Sequence, residues 1–517
     1  MTEPFYVTTA IAYPNGAPHV GHAYEYVATD AIARFKRLDG FDVRFLTGTD
    51  EHGLKMAQAA AAAGMTTADF ARRNSDAFER LQEMLNISFD RFVRTTDPDH
   101  YAASTAIWQQ MAERGDIYPD TYAGWYSVRD ERFFTEAETI INGDGIRVAT
   151  ETGTPVTWTE EQTYFFRLSA YADRLLTHYA RHPEFIAPEA RRNEVVNFVS
   201  GGLRDLSISR TSFDWGVPVP GDPDHVMYVW VDALTNYLTG AGYPDTSSAI
   251  YQRFWPADLH MIGKDIIRFH TVYWPAFLMS AGIPLPRRVF AHGFLYNRGE
   301  KMSKSVGNVV DPVSLVETFG VDQVRYFLLR EVPFGQDGSY SEDAIIARIN
   351  TDLANELGNL AQRSLSMAAK NLGAQIPEPG EVSAEDEELL AIAGALLPRV
   401  RAAFDEQAMH QGLEAIWLML GAANRYFSAQ QPWVLRKSDT EADQTRFRTV
   451  LYTTLEAVRI AAVLVQPVMP NSASRLLDLL GQPADCRDFA SLAQRMAPGT
   501  ELPAPTGVFP RYEAPAR

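Results

Sequence analysis

The chain has 517 residues, enough for roughly three or four globular domains of ordinary size. Hydrophobic residues make up 46% of it, which is sufficient to bury their cores. The formal net charge of -18 argues against a surface that coats nucleic acid generally, although a local nucleic-acid-binding face stays possible. The single cysteine, Cys486, excludes an intrachain disulfide and a multi-thiolate metal site, and it argues against thiol redox chemistry.

Signals for export or membrane insertion are not found in the sequence. No apolar run reaches the roughly 18 residues that a membrane helix needs. The first residues, MTEPFYVTTA, lack the charged region and the apolar core of a signal peptide. The sequence therefore predicts a cytoplasmic protein without membrane association.

The N-terminal part alternates strand and helix. FYVTTA (5–10) is rich in β-branched and aromatic residues, and a proline- and glycine-containing loop follows it. Apolar residues then recur at helical spacing from Tyr24 to Leu38, before DVRFLT (42–47) predicts the next strand. This alternation predicts the α/β class with parallel βαβ units, whose ligands bind at the carboxyl ends of the strands.

The pattern changes twice further along the chain. Between about 115 and 225, turn residues, aromatics and short β-prone runs predict an inserted, partly β module. HVMYVWVDAL (225–234) and DLHMIGKDIIRFH (258–270) return to strand followed by helix, so the first sheet resumes there. From about 346 onward the apolar spacing is almost entirely helical. No internal repeat or heptad array is present.

A histidine pair opens the first predicted helix, in APHVGHAYEY (17–26). His19 and His22 are three residues apart, so their imidazoles share one helical face beside backbone N–H groups and the positive end of the helix dipole. Gly21 lies between them. Phosphate binding is the function that this arrangement predicts. The alternative is that the histidines only cap the helix.

A lysine pair stands in GEKMSKSVGN (299–308), a polar stretch flanked by glycines. The chain has seven lysines and forty arginines, so two lysines three residues apart are unexpected. An ammonium group is a compact charge that can follow a phosphate oxygen, whereas a guanidinium is a larger planar fork. Lys301 and Lys304 are therefore predicted to stabilise charge that develops on phosphate. A solvated basic loop is the alternative.

The stretches PHVGH and KMSKS together resemble the paired signatures of the class I aminoacyl-tRNA synthetases. AIAYPNGAPHVGH, FLTGTDEHG, MYVWVDALTNY, IGKDIIRFH and NLAQR resemble the methionyl-tRNA synthetase family across nearly the whole chain. Several motifs in the same order make a highly specific match. The resemblance implies that the protein activates methionine with ATP and transfers it to tRNA(Met).

The resemblance also implies a domain order. We expect a Rossmann-type catalytic domain with a parallel sheet, split by a connective insertion, then a stem-contact segment and an α-helical bundle that binds the anticodon. The expected ranges are 1–115 and 226–290 for the two halves of the catalytic domain, 116–225 for the insertion, 291–345 for the stem-contact segment and 346–517 for the anticodon-binding domain.

Methionine is expected to bind in a pocket with aromatic and aliphatic walls, which suit its polarizable thioether. Trp230, Ala233 and Tyr237 are spaced to line one side of a helix, as are Ile266 and His270. The apolar members of the pocket could instead be ordinary core residues. By resemblance, the pocket consists of Ile11, Tyr13, Asp50, Trp230, Ala233, Tyr237, Ile266 and His270, with Asp50 holding the α-ammonium group.

ATP is expected, by the same resemblance, to lie over the strand ends together with Mg²⁺. The histidines and lysines of the two signatures are the expected catalytic residues, because they would orient the phosphates and neutralise their charge. Lys264 and Asp265 are expected to help position the nucleotide. The expected ATP-binding residues are therefore His19, Gly21, His22, Lys264, Asp265, Lys301 and Lys304.

The insertion departs from the family pattern. YAGWYSVRDERFF (122–134) resembles the segment in which many relatives carry a Cys-x-x-Cys zinc knuckle, but Ser127 and Asp130 stand at the cysteine positions. Without thiolates the tetrahedral zinc site is absent, so we expect no metal site in the protein. Aromatic packing is expected to stabilise the insertion instead, through Trp125, Tyr126, Phe133 and Phe134.

Three residues correspond to family positions that read the CAU anticodon. Asn359 and Arg363 lie one helical turn apart and can hydrogen-bond to base edges, while Trp433 can stack on a splayed base. A helix-surface Asn or Arg is otherwise an ordinary solvated residue. Since the chain is acidic, tRNA must meet a locally basic surface, and its affinity should fall steeply with salt. No further tRNA-binding module is expected, which favours a monomer.

Two other functions remain open from the sequence. Another class I synthetase, for leucine, isoleucine, valine or cysteine, would share both signatures; the pocket residues and the lack of a long editing insertion argue against it. A catalytically silent tRNA-binding protein would share the helical region, but the intact signatures argue against it. Because one methyl group supplies only ~1–3 kcal/mol of discrimination, an editing reaction against homocysteine is also expected.

Overall fold

The computed structural model of the protein describes residues 2–127, 129, 132–297, 300–301 and 309–513. Its N-terminal part alternates strands and helices as predicted. Helix α1 ends where Gly40 adopts a φ of +89°, a conformation that favours glycine at a helix end. The first elements are β1 (Pro4–Thr8), α1 (Val20–Leu38), β2 (Asp42–Thr49), α2 (Leu54–Ala62), α3 (Thr67–Met84), β3 (Arg91–Arg94) and α4 (Pro98–Glu113).

The next part is mainly antiparallel β-structure. Its strands form a sheet in the order β10-β8-β4-β5, a second sheet in the order β11-β13-β12 and the hairpin β6-β7. The elements are β4 (Ile117–Ser127), β5 (Arg132–Phe134), β6 (Thr139–Ile141), β7 (Arg147–Ala149), β8 (Thr157–Phe166), α5 (Ala172–Arg181), β9 (Ile186–Ala187), α6 (Glu189–Ser200), β10 (Leu206–Ser207), β11 (Ser209–Arg210), β12 (Pro218–Val219) and β13 (Asp222–Met227).

After this part, strand and helix alternate again. A small sheet in the order β17-β16-β18 follows the last strands of the main sheet. The elements are α7 (Val229–Gly240), α8 (Ala249–Phe254), β14 (Leu259–Gly263), α9 (Trp274–Ala281), β15 (Val289–His292), β16 (Leu295–Asn297), β17 (Glu300–Lys301), α10 (Pro312–Phe319), α11 (Val321–Arg330) and β18 (Gly338–Tyr340).

The main sheet has the order β3-β2-β1-β14-β15-β9, and each of its neighbouring strands is parallel. Strands β2 and β3 extend from one side of β1, while β14 and β15 extend from the other. The strand order therefore reverses between β1 and β14, and doubly wound sheets bind their ligands at that point. The edge strand β9 comes from within the range 116–225, so part of this range completes the parallel sheet.

Helices cover both faces of the main sheet. On one face, α1 packs against α11 and the C-terminal helices, and the rings of Phe35 and Phe404 stack 4.2 Å apart. On the other face, α4, α7 and α9 bury large aromatic side chains such as Trp108, Tyr237 and Trp274. This layering confirms the predicted α/β class.

The C-terminal part is helical, as predicted. Helix α18 lies at its centre, because each of its residues from 449 to 465 is buried. None of the helices in the described part of the chain is both long enough and apolar enough to cross a membrane. The elements are α12 (Glu342–Arg348), a π-helix (Ile349–Gly358), α13 (Asn359–Asn371), α14 (Ala384–Gly394), α15 (Leu396–Asp405), α16 (Met409–Gln430), α17 (Pro432–Leu435), α18 (Glu441–Val465) and α19 (Pro470–Leu479).

Arg325 on α11 joins the C-terminal helices to two helices of the N-terminal part. Its guanidinium is fully buried and donates to Asp30 Oδ2 on α1 at 2.6 Å. It also donates to the carbonyl of Leu85 at 3.0 Å and to that of Val468 at 2.8 Å. One side chain therefore contacts α1, the end of α3 and the turn that follows α18.

Candidate active site

A cavity of about 360 Å³ opens at the carboxyl ends of β1 and β14, where the strand order reverses. The segments that follow these strands, the first turns of α1 and one face of α7 form its wall. The structure thus brings together five separate stretches of sequence, within residues 10–26, 50, 230–237, 263–270 and 292–295. The predicted site residues that line the cavity are Ile11, Tyr13, His19, Gly21, His22, Asp50, Trp230, Ala233, Tyr237, Asp265, Ile266 and His270.

The signature histidines cap α1 and border the cavity at the same time. Nδ1 of His19 accepts the backbone N–H of Gly21 at 3.1 Å, and Nδ1 of His22 accepts the N–H of His19 at 3.1 Å. A neutral imidazole with an accepting Nδ1 carries its proton on Nε2, so each ring can donate from that atom. A Cβ at residue 21 would lie 2.9 Å from His19 Cε1, which explains the glycine.

Glu25 and His292 form an ion pair in the cavity wall that was not predicted. One carboxylate oxygen of Glu25 accepts the N–H of Ala10 at 2.7 Å, and the other accepts from His292 Nε2 at 2.9 Å. Nδ1 of His292 donates to the carbonyl of Gly293 at 2.8 Å. Burial alone would lower the pKa of His292, but the hydrogen bond and charge of Glu25 raise it. The pair ties α1 to the ends of β1 and β15.

Tyr237 and His270 form a neutral polar pair in the same wall. The Tyr237 hydroxyl donates to Nε2 of His270, whose Nδ1 donates to the carbonyl of Ile266. On the far side, the ring of His260 lies 4.1 Å from that of Tyr237. Burial lowers the pKa of His260 well below its usual value. The Tyr237 side of the cavity is therefore uncharged at neutral pH.

Trp230 supplies a flat aromatic wall. Its indole stacks on Phe269 with ring centroids 3.4 Å apart and planes 7° apart. Phe269 was not among the predicted residues, although it precedes His270 in the quoted motif. Tyr13 closes another side, where its hydroxyl accepts the backbone N–H of Met56 at 3.1 Å. Aromatic side chains therefore form these two sides of the cavity.

Asp50 reaches the cavity through a close backbone approach. The N–H of Asp50 donates to the carbonyl of Ala12 at 2.8 Å, and the N–H of Ala12 donates to that of Gly48 at 3.0 Å. A Cβ at Gly48 would come within 2.0 Å of the Val93 carbonyl oxygen, so glycine is required there. These bonds join the segments that follow β1 and β2, and they place the Asp50 carboxylate in the cavity wall.

None of the three predicted lysines is among the described residues that line this cavity. Lys264 donates to Asp337 Oδ2 at 2.6 Å and lies 4.6 Å from the Phe294 ring centre; it is not among the described residues that line the cavity. The side chain of Lys301 and the whole of Lys304 lie outside the described residues.

In the insertion, Ser127, which stands at one of the two cysteine positions of the zinc knuckle, forms a hydroxyl pair. Ser127 Oγ lies 3.1 Å from Thr154 Oγ1, and both side chains are buried. Phe134 is buried in a small apolar cluster to which Trp125 is packed. Asp130 and the side chain of Phe133 fall outside the described residues. Across the described ranges, no group of three or more His, Cys, Asp or Glu side chains is placed to hold a metal ion.

The predicted anticodon residues lie in the helical part, far along the chain from the cavity. Asn359 begins α13, and Arg363 follows one turn later. The Arg363 guanidinium lies 5.3 Å from the ring centre of Trp433 and 5.0 Å from that of Phe427. The structure thus places Arg363 beside Trp433, and it adds Phe427, which the sequence pattern did not indicate.

Comparisons with known families agree with these features. The family model described as tRNA synthetases class I (M) matches residues 5–365. A second model, described as the anticodon binding domain of methionyl tRNA ligase, matches residues 376–516. Together they cover the sheet with its cavity and most of the helical part.

Curated relatives match over almost their full length. The methionine–tRNA ligase of Mycobacterium tuberculosis strain H37Rv is 75% identical over 513 residues, which are 99% of this chain and 99% of that protein. That of Mycobacterium leprae is 74% identical, with 99% and 95% covered. That of Brucella suis biovar 1 is 61% identical, with 99% and 98% covered.

Solved structures match equally well. Mycobacterium tuberculosis methionyl-tRNA synthetase in complex with methionyl-adenylate superimposes with a TM-score of 0.97 at 75% identity, covering 99% of this chain and 100% of the other. The apo form of the Mycobacterium tuberculosis protein gives a TM-score of 0.91 at 71% identity, covering 100% and 99%. The agreement extends over the cavity and the helical part alike.

Proposed function

The chain belongs to the methionyl-tRNA synthetases of class I, and from that membership we propose that it is a methionine–tRNA ligase. It activates L-methionine with ATP, releases pyrophosphate and transfers the methionyl group to the 3′-terminal adenosine of tRNA(Met), for initiation and elongation of translation. The observation that carries the proposal is the convergence of four of the family motifs, AIAYPNGAPHVGH, FLTGTDEHG, MYVWVDALTNY and IGKDIIRFH, on one cavity at the point where the strand order reverses.

The methionine side chain is proposed to lie between the indole of Trp230 and the neutral pair of Tyr237 and His270. A thioether carries no charge and packs well on aromatic faces, so an uncharged aromatic wall suits it. Asp50 is the carboxylate proposed to hold the α-ammonium group. Ala233 lies one turn along α7 from Trp230 and leaves room for the unbranched chain; Ile11, Tyr13 and Ile266 complete the pocket.

ATP is proposed to enter as its magnesium complex, because Mg²⁺ binds mainly through substrate phosphates in such sites. Nε2 of His19 and of His22 would donate to phosphate oxygens, aided by the positive end of α1. Asp265 lines the cavity beside Gly263 and is proposed to contact the nucleoside. Lys301 and Lys304 are proposed to neutralise the phosphates, and Lys264 is proposed to help position the nucleotide.

The first reaction step is an in-line displacement. A carboxylate oxygen of methionine attacks the α-phosphorus, a new P–O bond forms, and the bond to the bridging oxygen breaks so that pyrophosphate leaves with the electron pair. In the second step a ribose hydroxyl of the terminal adenosine attacks the carbonyl carbon of the adenylate, loses its proton, and AMP leaves. No covalent bond to the protein is needed, so the rate comes from positioning and charge stabilisation.

The tRNA is proposed to meet the helical part through Asn359, Arg363 and Trp433. The guanidinium of Arg363 already lies against two aromatic rings, so it offers donors beside a surface on which a base can stack. We further propose that the insertion is zinc-free, that the enzyme acts as a monomer in the cytoplasm and that it rejects homocysteine by editing. The domain ranges expected from the sequence are retained as part of this proposal.

Exchange of labelled pyrophosphate into ATP, measured with each of the twenty amino acids, tests the proposed function. The proposal expects exchange with methionine at a far higher kcat/KM than with leucine, isoleucine, valine or cysteine. Exchange that prefers one of those amino acids would assign a different synthetase. If no amino acid supports exchange while tRNA still binds, the result would assign the chain as a catalytically silent tRNA-binding protein.

A further inference from the structure

A buried aspartate bridges two imidazoles behind the cavity. Asp232 Oδ2 accepts from Nδ1 of His52 at 2.5 Å, and Asp232 Oδ1 accepts from Nε2 of His100 at 2.6 Å. Asp232 and His100 are fully buried, and His52 is 1% exposed. None of the three is among the described residues that line the cavity, and no step of the proposed reaction uses them.

The outer nitrogens of the imidazoles are also bonded. Nε2 of His52 lies 3.1 Å from the hydroxyl of Tyr101, and Nδ1 of His100 lies 3.0 Å from that of Thr239. Burial, together with the nearby carboxylates of Asp232 and Glu51, raises the pKa of Tyr101 to about 12, so its phenol keeps the proton and donates it. Each oxygen of the carboxylate therefore accepts one imidazole N–H, and each outer ring nitrogen lies within hydrogen-bond distance of a hydroxyl group.

Asp232 is ionised at neutral pH in spite of its burial. Burial alone would raise its pKa, but the interactions with His52 and His100 lower it to about 2. The residue also lies in the first turn of α7, where the helix dipole favours a negative charge. Because a buried charge without partners is very costly, the carboxylate holds both imidazoles firmly.

The network connects two walls of the cavity. His52 follows Asp50 by two residues in the loop after β2, whereas Asp232 lies on α7 between Trp230 and Ala233. His100 anchors the same carboxylate to α4. The side chain proposed to hold the α-ammonium group and the helix proposed to hold the thioether are therefore joined through one carboxylate.

Other bonds hold the loop to different parts of the protein. The Trp215 indole donates to the carbonyl of Glu51 at 2.6 Å, and the N–H of Gly53 donates to the carbonyl of Trp215 at 3.1 Å. Arg94 Nε donates to Glu51 Oε1 at 2.7 Å. These bonds fix the loop to the end of the insertion and to the end of β3, while Asp232 fixes it to α7.

We propose that Asp232 is a positioning residue for methionine: by holding His52 and His100, it sets the separation between Asp50 and the aromatic wall of α7. The inference rests on the proposed function, because it assumes that these walls bind methionine. The nucleotide is proposed to bind at the start of α1 and after β14, away from the network. Loss of the bridge should therefore weaken methionine binding selectively.

Kinetics of Asp232→Ala and Asp232→Asn in the pyrophosphate exchange reaction test this inference. The alanine variant releases both imidazoles, so we expect the KM for methionine to rise about tenfold or more while the KM for ATP stays within about twofold of the parent. The asparagine variant can keep both bonds. Its oxygen accepts from His52, and its N–H donates to Nε2 of His100 once that ring moves its proton to Nδ1.

The hydrogen-bond geometry at residue 232, rather than its negative charge, is therefore expected to maintain methionine binding. In Asp232→Asn the KM for methionine should lie within about threefold of the parent. Asp386→Ala is the matched control, since Asp386 is a buried carboxylate bonded to Tyr426 and Arg446 in the helical part. It should lower stability and leave the KM for methionine unchanged.

If Asp232→Ala does not fold, His52→Ala and His52→Asn decide in its place. His52→Ala should raise the KM for methionine, and His52→Asn should raise it less because its amide can still donate to Asp232. A methionine KM within about twofold of the parent, or an equal rise in the KM for ATP, overturns the inference while leaving the function intact. A parent protein without methionine-dependent exchange overturns the proposed function and the inference with it.

Discussion

The hydroxyl of Tyr237 donates a hydrogen bond of 2.6 Å to Nε2 of His270, and Nδ1 of His270 donates to the carbonyl of Ile266 at 2.9 Å. Burial lowers the pKa of His270 to about 4, so the imidazole is neutral at physiological pH. Each hydrogen bond of the pair therefore has a fixed donor, the Tyr237 hydroxyl for one and Nδ1 of His270 for the other. This arrangement explains how two polar side chains can border a pocket for an uncharged thioether.

Replacing Tyr237 by phenylalanine should weaken methionine binding. The change leaves Nε2 of His270 without its donor, so the imidazole loses the orientation in which it borders the thioether; we expect a loss of about 1–3 kcal/mol of binding free energy, or roughly 5- to 150-fold in the KM for methionine. Pyrophosphate exchange measures it. Tyr243→Phe is the control, because the buried Tyr243 hydroxyl has no hydrogen-bond partner in the described part of the chain. Equal KM values for Tyr237→Phe and the parent would contradict the assigned contact.

The low pKa of His270 predicts a loss of stability in acid. The imidazole takes up its proton near pH 6.5 in the unfolded chain but only near pH 4 in the folded protein. The unfolded state therefore binds more protons as the pH falls from 6.5 to 4, and stability declines across that window by on the order of 3 kcal/mol from this group. Urea unfolding at several pH values should show a smaller decline in His270→Gln. Parallel curves for the two proteins would refute the prediction.

Arg325→Ala should destabilise the protein strongly. The change leaves Asp30 buried with one charged partner fewer, and breaking a buried pair in this way costs about 3–5 kcal/mol. Arg325→Lys should not restore stability, because an ammonium cannot reproduce the planar fork. Arg37→Ala is the control, since its pair with Asp90 is partly exposed and is worth about 0–1 kcal/mol. A loss in Arg325→Ala no larger than in Arg37→Ala would exclude the proposed connection.

Arg363→Ala should impair tRNA charging while sparing amino acid activation. The guanidinium lies against Trp433 and Phe427, so its loss removes base contacts worth about 1–3 kcal/mol and raises the KM for tRNA roughly 5- to 150-fold. Exchange measured without tRNA should be unchanged. Arg399→Ala, at an exposed position on α15, is the matched control for loss of positive charge. A similar rise in the KM for tRNA in the two variants would show that Arg363 contributes only through its positive charge.

The purified protein should contain no stoichiometric zinc. Ser127 contributes a buried hydroxyl next to Thr154, and the chain has no thiolate in this segment. Metal analysis of protein purified without chelators provides the direct test. A zinc-selective chelator should leave the exchange activity intact, whereas EDTA in excess over Mg²⁺ should stop it. One zinc per chain would show that other ligands replace the missing cysteines.

Local patterns predicted the first strands, the first helix and the motif residues, because each depends on neighbours within a few positions. Apolar residues recur at helical spacing from Tyr24 to Leu38, and α1 covers that range, although its burial extends to every residue from Tyr26 to Ala33. His19 and His22 cap the helix through bonds within three residues, so their placement also follows from local sequence. Family motifs supplied the rest of the pocket, since spacing alone cannot relate Asp50 to Trp230.

The contacts that were missed join residues far apart in the chain. Glu25 and His292 meet because the sheet places β15 two strands from β1, an order that no local pattern encodes. Phe427 on α16 lies 5.0 Å from the guanidinium of Arg363 on α13, and single aromatic residues in a helix are usually core. Strand β9 has two residues, too few to give an alternating pattern.

Methionine and ATP are proposed to meet in a single site. A crystal structure of the protein with methionine and a non-hydrolysable ATP analogue tests it most directly. We predict that the α-ammonium group contacts Asp50, that the thioether lies against Trp230 and Tyr237, and that the α-phosphorus lies in line with the methionine carboxylate.

The same structure tests the role of the lysine pair. We predict that the side chains of Lys301 and Lys304 and those of His19 and His22 contact one triphosphate. Methionine bound outside the cavity, or lysines that face a separate cavity from the histidines with no route to the triphosphate, would contradict the account.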